Sequence, residues 1–152
     1  MNRFDENEII CELYYHILWS TKGQELLLSP SMFSQINGIV QQIATDNDCS
    51  VIALGGTSDH LQLLVKAGPH FVMDAFILDT KVASSMLIRT HFGIEFEWQK
   101  SEFCFSEGFD EVGLLIHQIT ALRTENVSSF TDRIVAILEQ NQMSYDRCEI
   151  LM

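Results

Sequence analysis

From Ile9 to Thr21 the chain runs I-I-C-E-L-Y-Y-H-I-L-W-S-T, crowded with β-branched and aromatic side chains. That content over that length predicts a long central strand. The period changes after Lys22-Gly23, where Met32, Phe33, Ile36, Ile39, Val40 and Ile43 recur at helical spacing. Pro30 suits the first position of this helix, where a backbone N–H is not needed, and Ser29 stands where an N-cap belongs. Asp46-Asn47-Asp48 closes the helix, Cys49 to Gly55 reads as a second strand, and Gly55-Gly56 reads as a turn or bulge.

Residues 59–67, D-H-L-Q-L-L-V-K-A, alternate in part. A period of two puts Leu61, Leu63 and Val65 on one face and His60, Gln62 and Lys66 on the other. The first set is expected to lie under helices, with His60 and Gln62 side by side on the face away from them. A second long helix runs from about Phe71 to His91 through Val72, Ala75, Phe76, Val82, Ala83, Met86 and Leu87, and Gly93 can end it. A short strand around Phe103-Cys104-Phe105 follows, then helices over Phe109 to Arg123 and Ser129 to Gln142. The order β-α-β-β-α-β with trailing helices predicts an α+β fold, the ferredoxin-like split βαβ sandwich. Its antiparallel sheet of four or five strands should carry the helices beginning near Pro30 and Phe71 on one face. No repeat, low-complexity tract or linker interrupts the sequence, so residues 1–152 read as one domain.

Composition narrows the class. The chain is 47% hydrophobic and 20% charged with 8 Gly and 2 Pro, which excludes disordered and collagen-like proteins. No stretch approaches the roughly 18 apolar residues that cross a bilayer, and Met1 to Glu6 lacks a basic-then-apolar signal. The expectation is a cytoplasmic protein with no membrane partner. Cys11, Cys49, Cys104 and Cys148 are far apart and form no C-x-x-C pair, so reduced thiols are expected rather than a zinc knuckle or disulfide framework. Nine Lys and Arg against 21 Asp and Glu leave a net charge of −12, a surface that on average repels a polyanion.

The residues that could carry chemistry are few. His16 faces His60 if the first and third strands are neighbours; alternatively it is hydrogen-bonded within the sheet. Asp59 either orients the His60 imidazole or ends a turn. His117 is a ligand, a base or a partly buried helix residue, and His70 and His91 flank the second helix. Phe92, Phe96, Phe103, Phe105 and Phe109 fit a core or a dimer interface better than a base-stacking surface, because Lys100 is the one Lys or Arg interleaved with them. Large apolar side chains in that number also suggest a homodimer.

Three ordered segments resemble the single-tyrosine transposases of the smallest bacterial insertion sequences, histidine–hydrophobe–histidine nucleases with REP-associated relatives. Tyr15-His16-Ile17-Leu18-Trp19-Ser20-Thr21-Lys22 is similar to that family's opening strand, Y-H-x-x-W-x-T-K. Ser58-Asp59-His60-Leu61-Gln62-Leu63-Leu64-Val65 is similar to its P-D-H-V-H-L-L-V strand, and Asp79-Thr80-Lys81-Val82-Ala83-Ser84-Ser85 to its helical L-K-x-x-S-S-R. Trp98-Gln99-Lys100 follows where the family often has W-Q and a charged residue, and Ser129-Phe130 matches the start of its last helix.

The resemblance implies recognition of hairpin or palindromic ends of single-stranded DNA by a homodimer. It also implies a Mg²⁺ or Mn²⁺ ion held by two histidines and a third polar group, and a tyrosine that attacks the phosphate. The metal positions fall on His60 and Gln62, a Gln carbonyl being an acceptable oxygen ligand for such ions. The tyrosine position falls on His117 and the third ligand on Ala121, with Gln118 beside them. Tyr14, Tyr15 and Tyr145 are the tyrosines of the chain, and none lies between Val65 and Ser144. Met86 replaces the basic residue after the paired serines, leaving Lys66, Lys81 and Arg89 as the nucleic-acid contacts. Two functions follow from different classes. One is a transposase-family DNA-binding protein that has lost its nucleophile and is catalytically inactive. The other is a non-enzymatic dimeric protein-interaction module without DNA binding.

Overall fold

The computed structural model describes residues 8–122 and 130–143. Four antiparallel strands, β1 (Leu13–Ser20), β2 (Cys49–Thr57), β3 (His60–Ala67) and β4 (Phe103–Glu107), form one sheet in the order β2-β3-β1-β4. The helices are α1 (Pro30–Asp46), α2 (Met73–His91), α3 (Val112–Ala121) and α4 (Phe130–Gln140). This is the expected α+β architecture. The first strand begins four residues later than its composition suggests, since Ile9 and Ile10 are exposed and unpaired with the sheet.

Alternation along the strands sorts the side chains into two layers. Ile17, Trp19, Leu61, Leu63 and Val65 pack with α1 and α2 in the larger core, as their period of two requires. The opposite face is covered too, by the trailing helices. Leu18 and Phe105 pack with Phe130, Ile134, Ile137 and Leu138 of α4, while Ala53 and Leu64 pack with Ile119 of α3. The face that carries His60 and Gln62 is therefore interior rather than open.

Segments 79–85 and 98–100 are knit to β1. Trp98 donates its indole N–H to the Ser84 hydroxyl at 2.9 Å and stands edge-on to Trp19, and Ser20 donates to the Gln99 side chain. Ser29 occupies the N-cap position of α1 with Pro30 behind it, but its hydroxyl meets Ser31 instead of the helix backbone.

Gly55-Gly56 is not a turn: β2 continues through both to Thr57, and the reversal falls at Ser58-Asp59. The irregularity in β2 lies earlier, between Val51 and Ala53. That extra residue shifts the phase of the strand. Val51 and Leu54 consequently face α1 and α2, whereas Ala53 faces Ile119. Each glycine then serves a close approach. A Cβ on Gly55 would run into the Ile119 carbonyl, and one on Gly56 into the His60 carbonyl and the Phe33 ring. Backbone, unlike a flexible side-chain tip, cannot yield without moving an element. Gly55→Ala is therefore expected to lift α3 from β2 and destabilise the protein by about 1–3 kcal/mol, the usual cost of overpacking, as measured by urea unfolding.

Candidate functional site

In the strand registers, Ser20 lies opposite His60, Leu18 opposite Gln62 and His16 opposite Leu64, and β2 brings Thr57 opposite His60. Polar side chains from three strands thus share one face of the sheet. Asp59, in the β2–β3 turn, takes the His60 Nδ1 on its Oδ1 at 2.9 Å, and Thr57 donates its hydroxyl to the same oxygen at 2.8 Å. Its Oδ2 accepts the Phe130 backbone N–H at 3.0 Å, a carboxylate placed on the first residue of α4. Burial alone would push the Asp59 carboxyl up, but the hydrogen bonds from His60, Phe130 and Thr57 hold it below its ordinary value.

An ionised Asp59 dictates the direction of every bond beyond it. It can only accept, so His60 carries its proton on Nδ1 and presents a lone pair at Nε2. The Gln62 amide N–H fills that lone pair at 2.9 Å, and the Gln62 carbonyl then accepts His16 Nε2–H at 2.8 Å. Reversing the Gln62 amide would force a bare His60 Nδ1 against a carboxylate oxygen. His16, His60 and Gln62 are all at most 1% exposed. Burial is the leading cause that lowers the His16 pKa from 6.5 to about 4, so the imidazole is neutral at pH 7. Its Nδ1 lies 3.8 Å from Glu107 Oε1, too far for a hydrogen bond and, with a neutral ring, not an ion pair.

This geometry bears on the metal that the sequence led us to expect at His60 and Gln62. A divalent ion there would require the His60 Nε2 lone pair, which the Gln62 N–H occupies. The Gln62 oxygen, the atom a hard cation would use, points away toward His16. The Phe130 ring packs 5.5 Å from the imidazole. Among the described residues no group of three His, Cys, Asp or Glu side chains gathers to hold a metal. As arranged, these side chains do not fit Mg²⁺ or Mn²⁺.

The remaining candidates are dispersed. His117 is exposed on α3, one residue from Gln118, which lines a cleft of about 240 Å³ with His16, Glu107 and Arg133. Ala121 is half-buried near the end of α3. Lys66, at the far end of β3 from His60, pairs with Glu12 at 3.2 Å. Lys81 belongs to α2, on the other side of the sheet, and is held by Glu102 at 2.6 Å and the Gln99 carbonyl at 2.8 Å over the Trp19 ring. Arg89 donates to the Phe96 carbonyl at 3.1 Å in a second cleft of about 570 Å³, which Lys22, Glu25, Glu95 and Glu97 also line. Lys66, Lys81 and Arg89 therefore form no common basic patch. Of the phenylalanines, Phe96 and Phe105 are buried, Phe92 and Phe103 pack against the cores, and only Phe109 of the five is exposed. Cys11, Cys49 and Cys104 are free thiols; Tyr145 and Cys148 lie outside the described residues.

Sequence reasoning did not single out Arg133 or Glu107. Arg133 reaches the cleft from the flank of α4, beside the apolar stripe of Ile134, Ile137 and Leu138, and its Nε has no hydrogen-bond partner. The helical period places it next to that stripe, but only the docking of α4 brings it to β1.

His16 provides a test of the polar chain through acid stability. Its folded pKa is depressed, so between about 4 and 6.5 the unfolded chain binds more protons than the folded one. Stability should be complete above pH 6.5 and fall as the pH drops toward 4, by roughly 3 kcal/mol for this group. Asp59 adds to the loss at still lower pH, because its folded pKa is also depressed. Urea unfolding across this range should show the slope, and His16→Gln, which can still donate to Gln62, should flatten it.

The fold matches the crystal structure of a candidate transposase from Deinococcus radiodurans R1 with a TM-score of 0.61 and 22% identity, over 95% of this chain and 100% of that one. It also matches a REP-associated tyrosine transposase bound to a REP hairpin, with a TM-score of 0.56 and 10% identity, over 87% and 79% of the two chains. No curated protein matches the sequence. The family model for IS200-like transposases matches residues 9–118, a span containing all four strands and the Asp59–His60–Gln62–His16 chain. By that match the chain belongs to the IS200-like transposase family.

Proposed function

We propose that this protein is a dimeric, DNA-binding member of its family that recognises hairpin ends of single-stranded DNA and does not carry out strand transfer. The observation that carries the catalytic part is the hydrogen bond from Gln62 to His60 Nε2, which occupies the lone pair a metal ion would take. The sequence points the same way, since no tyrosine lies between Val65 and Ser144 and His117 stands where the family resemblance puts the nucleophile. In-line attack needs a phenolate and a neutralised phosphate fixed together in one geometry. Support for DNA recognition comes from family membership and from the hairpin bound by the REP-associated relative. Lys66 and Arg89 are the proposed phosphate contacts, and Lys81 holds the Gln99 and Lys100 carbonyls.

A second reading, a protein-interaction module with no affinity for DNA, is favoured by the net charge of −12 and the scatter of the three cations. Fluorescence anisotropy with a labelled hairpin distinguishes the two. The first reading expects weak binding, unchanged by Mn²⁺, with a log K against log salt slope of about −1 to −3 at ~0.7 per neutralised phosphate. Denaturing electrophoresis after incubation with Mn²⁺ should show no covalent protein–DNA adduct. An adduct lost in Tyr145→Phe or His117→Ala would overturn the catalytic part, and absence of binding at low salt would establish the second reading.

A further inference from the structure

The hydrogen-bond chain that starts at Asp59 ends without closing. Asp59 fixes the His60 proton on Nδ1, Gln62 donates to His60 Nε2, and the Gln62 carbonyl takes the His16 Nε2 proton. A neutral imidazole carries one ring proton. His16 Nδ1 therefore terminates the chain as a lone pair, and among the described residues nothing donates to it. The residue is 1% exposed and lines the cleft beside α3 and α4. An enclosed acceptor without a donor costs stability, so this atom calls for a ligand.

What it faces is another acceptor. Glu107 lies opposite Tyr14 in the register of β1 with β4, and Tyr14 and His16 point to the same face of β1. The His16 and Glu107 side chains are thus diagonal neighbours across the two strands. Nδ1 of one and Oε1 of the other are 3.8 Å apart, beyond the reach of a hydrogen bond. Glu111, exposed at the end of the short 3-10 turn Phe109–Glu111, lines the same cleft. Arg133 lines it as well, yet its Nε has no hydrogen-bond partner and, among the described residues, it forms no ion pair with either glutamate. The carboxylates are left without a cation of the chain.

A lone pair and a carboxylate oxygen with no proton between them are two sides of a metal site. Zn²⁺ bonds of about 2.0–2.1 Å to nitrogen and 2.0–2.2 Å to oxygen set tetrahedral neighbours about 3.4 Å apart. A small rotation of the Glu107 side chain closes the observed gap to that value. A metal-bound imidazole ordinarily donates its other ring N–H to an oxygen that orients it. Here that oxygen is the Gln62 carbonyl, itself fixed through His60 by Asp59. One imidazole with carboxylates suits Zn²⁺ or Co²⁺ better than Mg²⁺, and Mn²⁺ is the weakest binder of the first-row series.

We propose that His16 Nδ1 and Glu107, completed by Glu111 and water, form a site for a Zn²⁺-class cation in this cleft. It shares no ligand with the His60 and Gln62 position, where the lone pair is already filled, and it requires no DNA. Two ligands stand in place and Glu111 must swing in, while the Arg133 charge opposes the ion. The expected affinity is therefore micromolar, short of a closed four-ligand site.

Isothermal titration with Zn²⁺ at pH 7, together with nitrogen NMR of the histidine rings, tests it. The unsubstituted chain should bind about one ion, moving the His16 Nδ1 resonance and leaving His60 Nε2 in place. His16→Gln keeps a donor for Gln62 and Glu107→Gln keeps the shape of the cleft, and each should weaken binding by at least about tenfold. Cys49→Ser and His117→Ala should bind as the unsubstituted chain does. If His16→Gln fails to fold, Glu107→Gln at the edge of the sheet and the NMR of the unsubstituted chain still decide. Absence of binding at millimolar Zn²⁺, or binding that survives Glu107→Gln, overturns the site. A shift at His60 Nε2 instead would move the ion to His60 and Gln62, overturning this site together with the catalytic part of the proposed function.

Discussion

The Asp59 carboxylate is the point on which the interior of the second face depends. It lies in the two-residue turn between β2 and β3, and its two oxygens serve different parts of the molecule. One holds the His60 imidazole and the Thr57 hydroxyl, and the other holds the backbone of Phe130 at the start of α4. A residue near position 59 is thereby tied to a helix about seventy residues later, a link that local structure could not supply. Because an ionised carboxylate only accepts, the same group sets the His60 tautomer, the Gln62 amide orientation and the proton position on His16. Buried polar groups are costly unless every one is satisfied, and a single anchored acceptor orders the whole row.

That row lies where the family resemblance points to metal chemistry. The change from a second histidine to Gln62 could be read as a substitution of one ligand for another. In the folded protein it has a different consequence, because an amide offers a donor as well as an acceptor. Its donor closes the His60 lone pair, and its acceptor turns to His16. The polar side chains then stabilise one another beneath α4 rather than waiting for an ion. The same exchange of chemistry for structure appears at Lys81, which bridges Glu102 and the Gln99 carbonyl, and at Trp98, which is bound to Ser84. Motif residues on α2 and in the segment before β4 hold the first strand in place.

The two faces of the sheet also divide the remaining surface. On one side α3 and α4 enclose the polar row and leave a narrow cleft at its His16 end, bordered by Glu107, Gln118 and Arg133. On the other, α1 is polar outside and α2 is not. An acidic protein with so few cations has little surface suited to a polyanion, and Leu78, Val82 and Met86 of α2 are exposed.

Much of this was legible in the sequence because it depends on short-range periodicity. The alternation of Leu61, Leu63 and Val65 with His60 and Gln62 followed from the geometry of a strand, and the Pro30 and Gly93 boundaries from backbone stereochemistry. The ordered motifs sufficed to place the chain near its family. Tertiary structure alone decided what those residues do. Gly55-Gly56 resembles a turn by composition, yet the glycines are there because Ile119 and Phe33 approach the strand. A row of phenylalanines fitted a core or an interface equally well by sequence, and two cores on opposite faces of the sheet took up four of the five. His60 and Gln62 were adjacent by period. Whether their lone pairs faced an ion or each other depended on a carboxylate in the turn, an imidazole one strand away and a helix from the end of the chain. Periodicity is a property of neighbours in sequence, whereas the direction of a hydrogen bond is a property of neighbours in space.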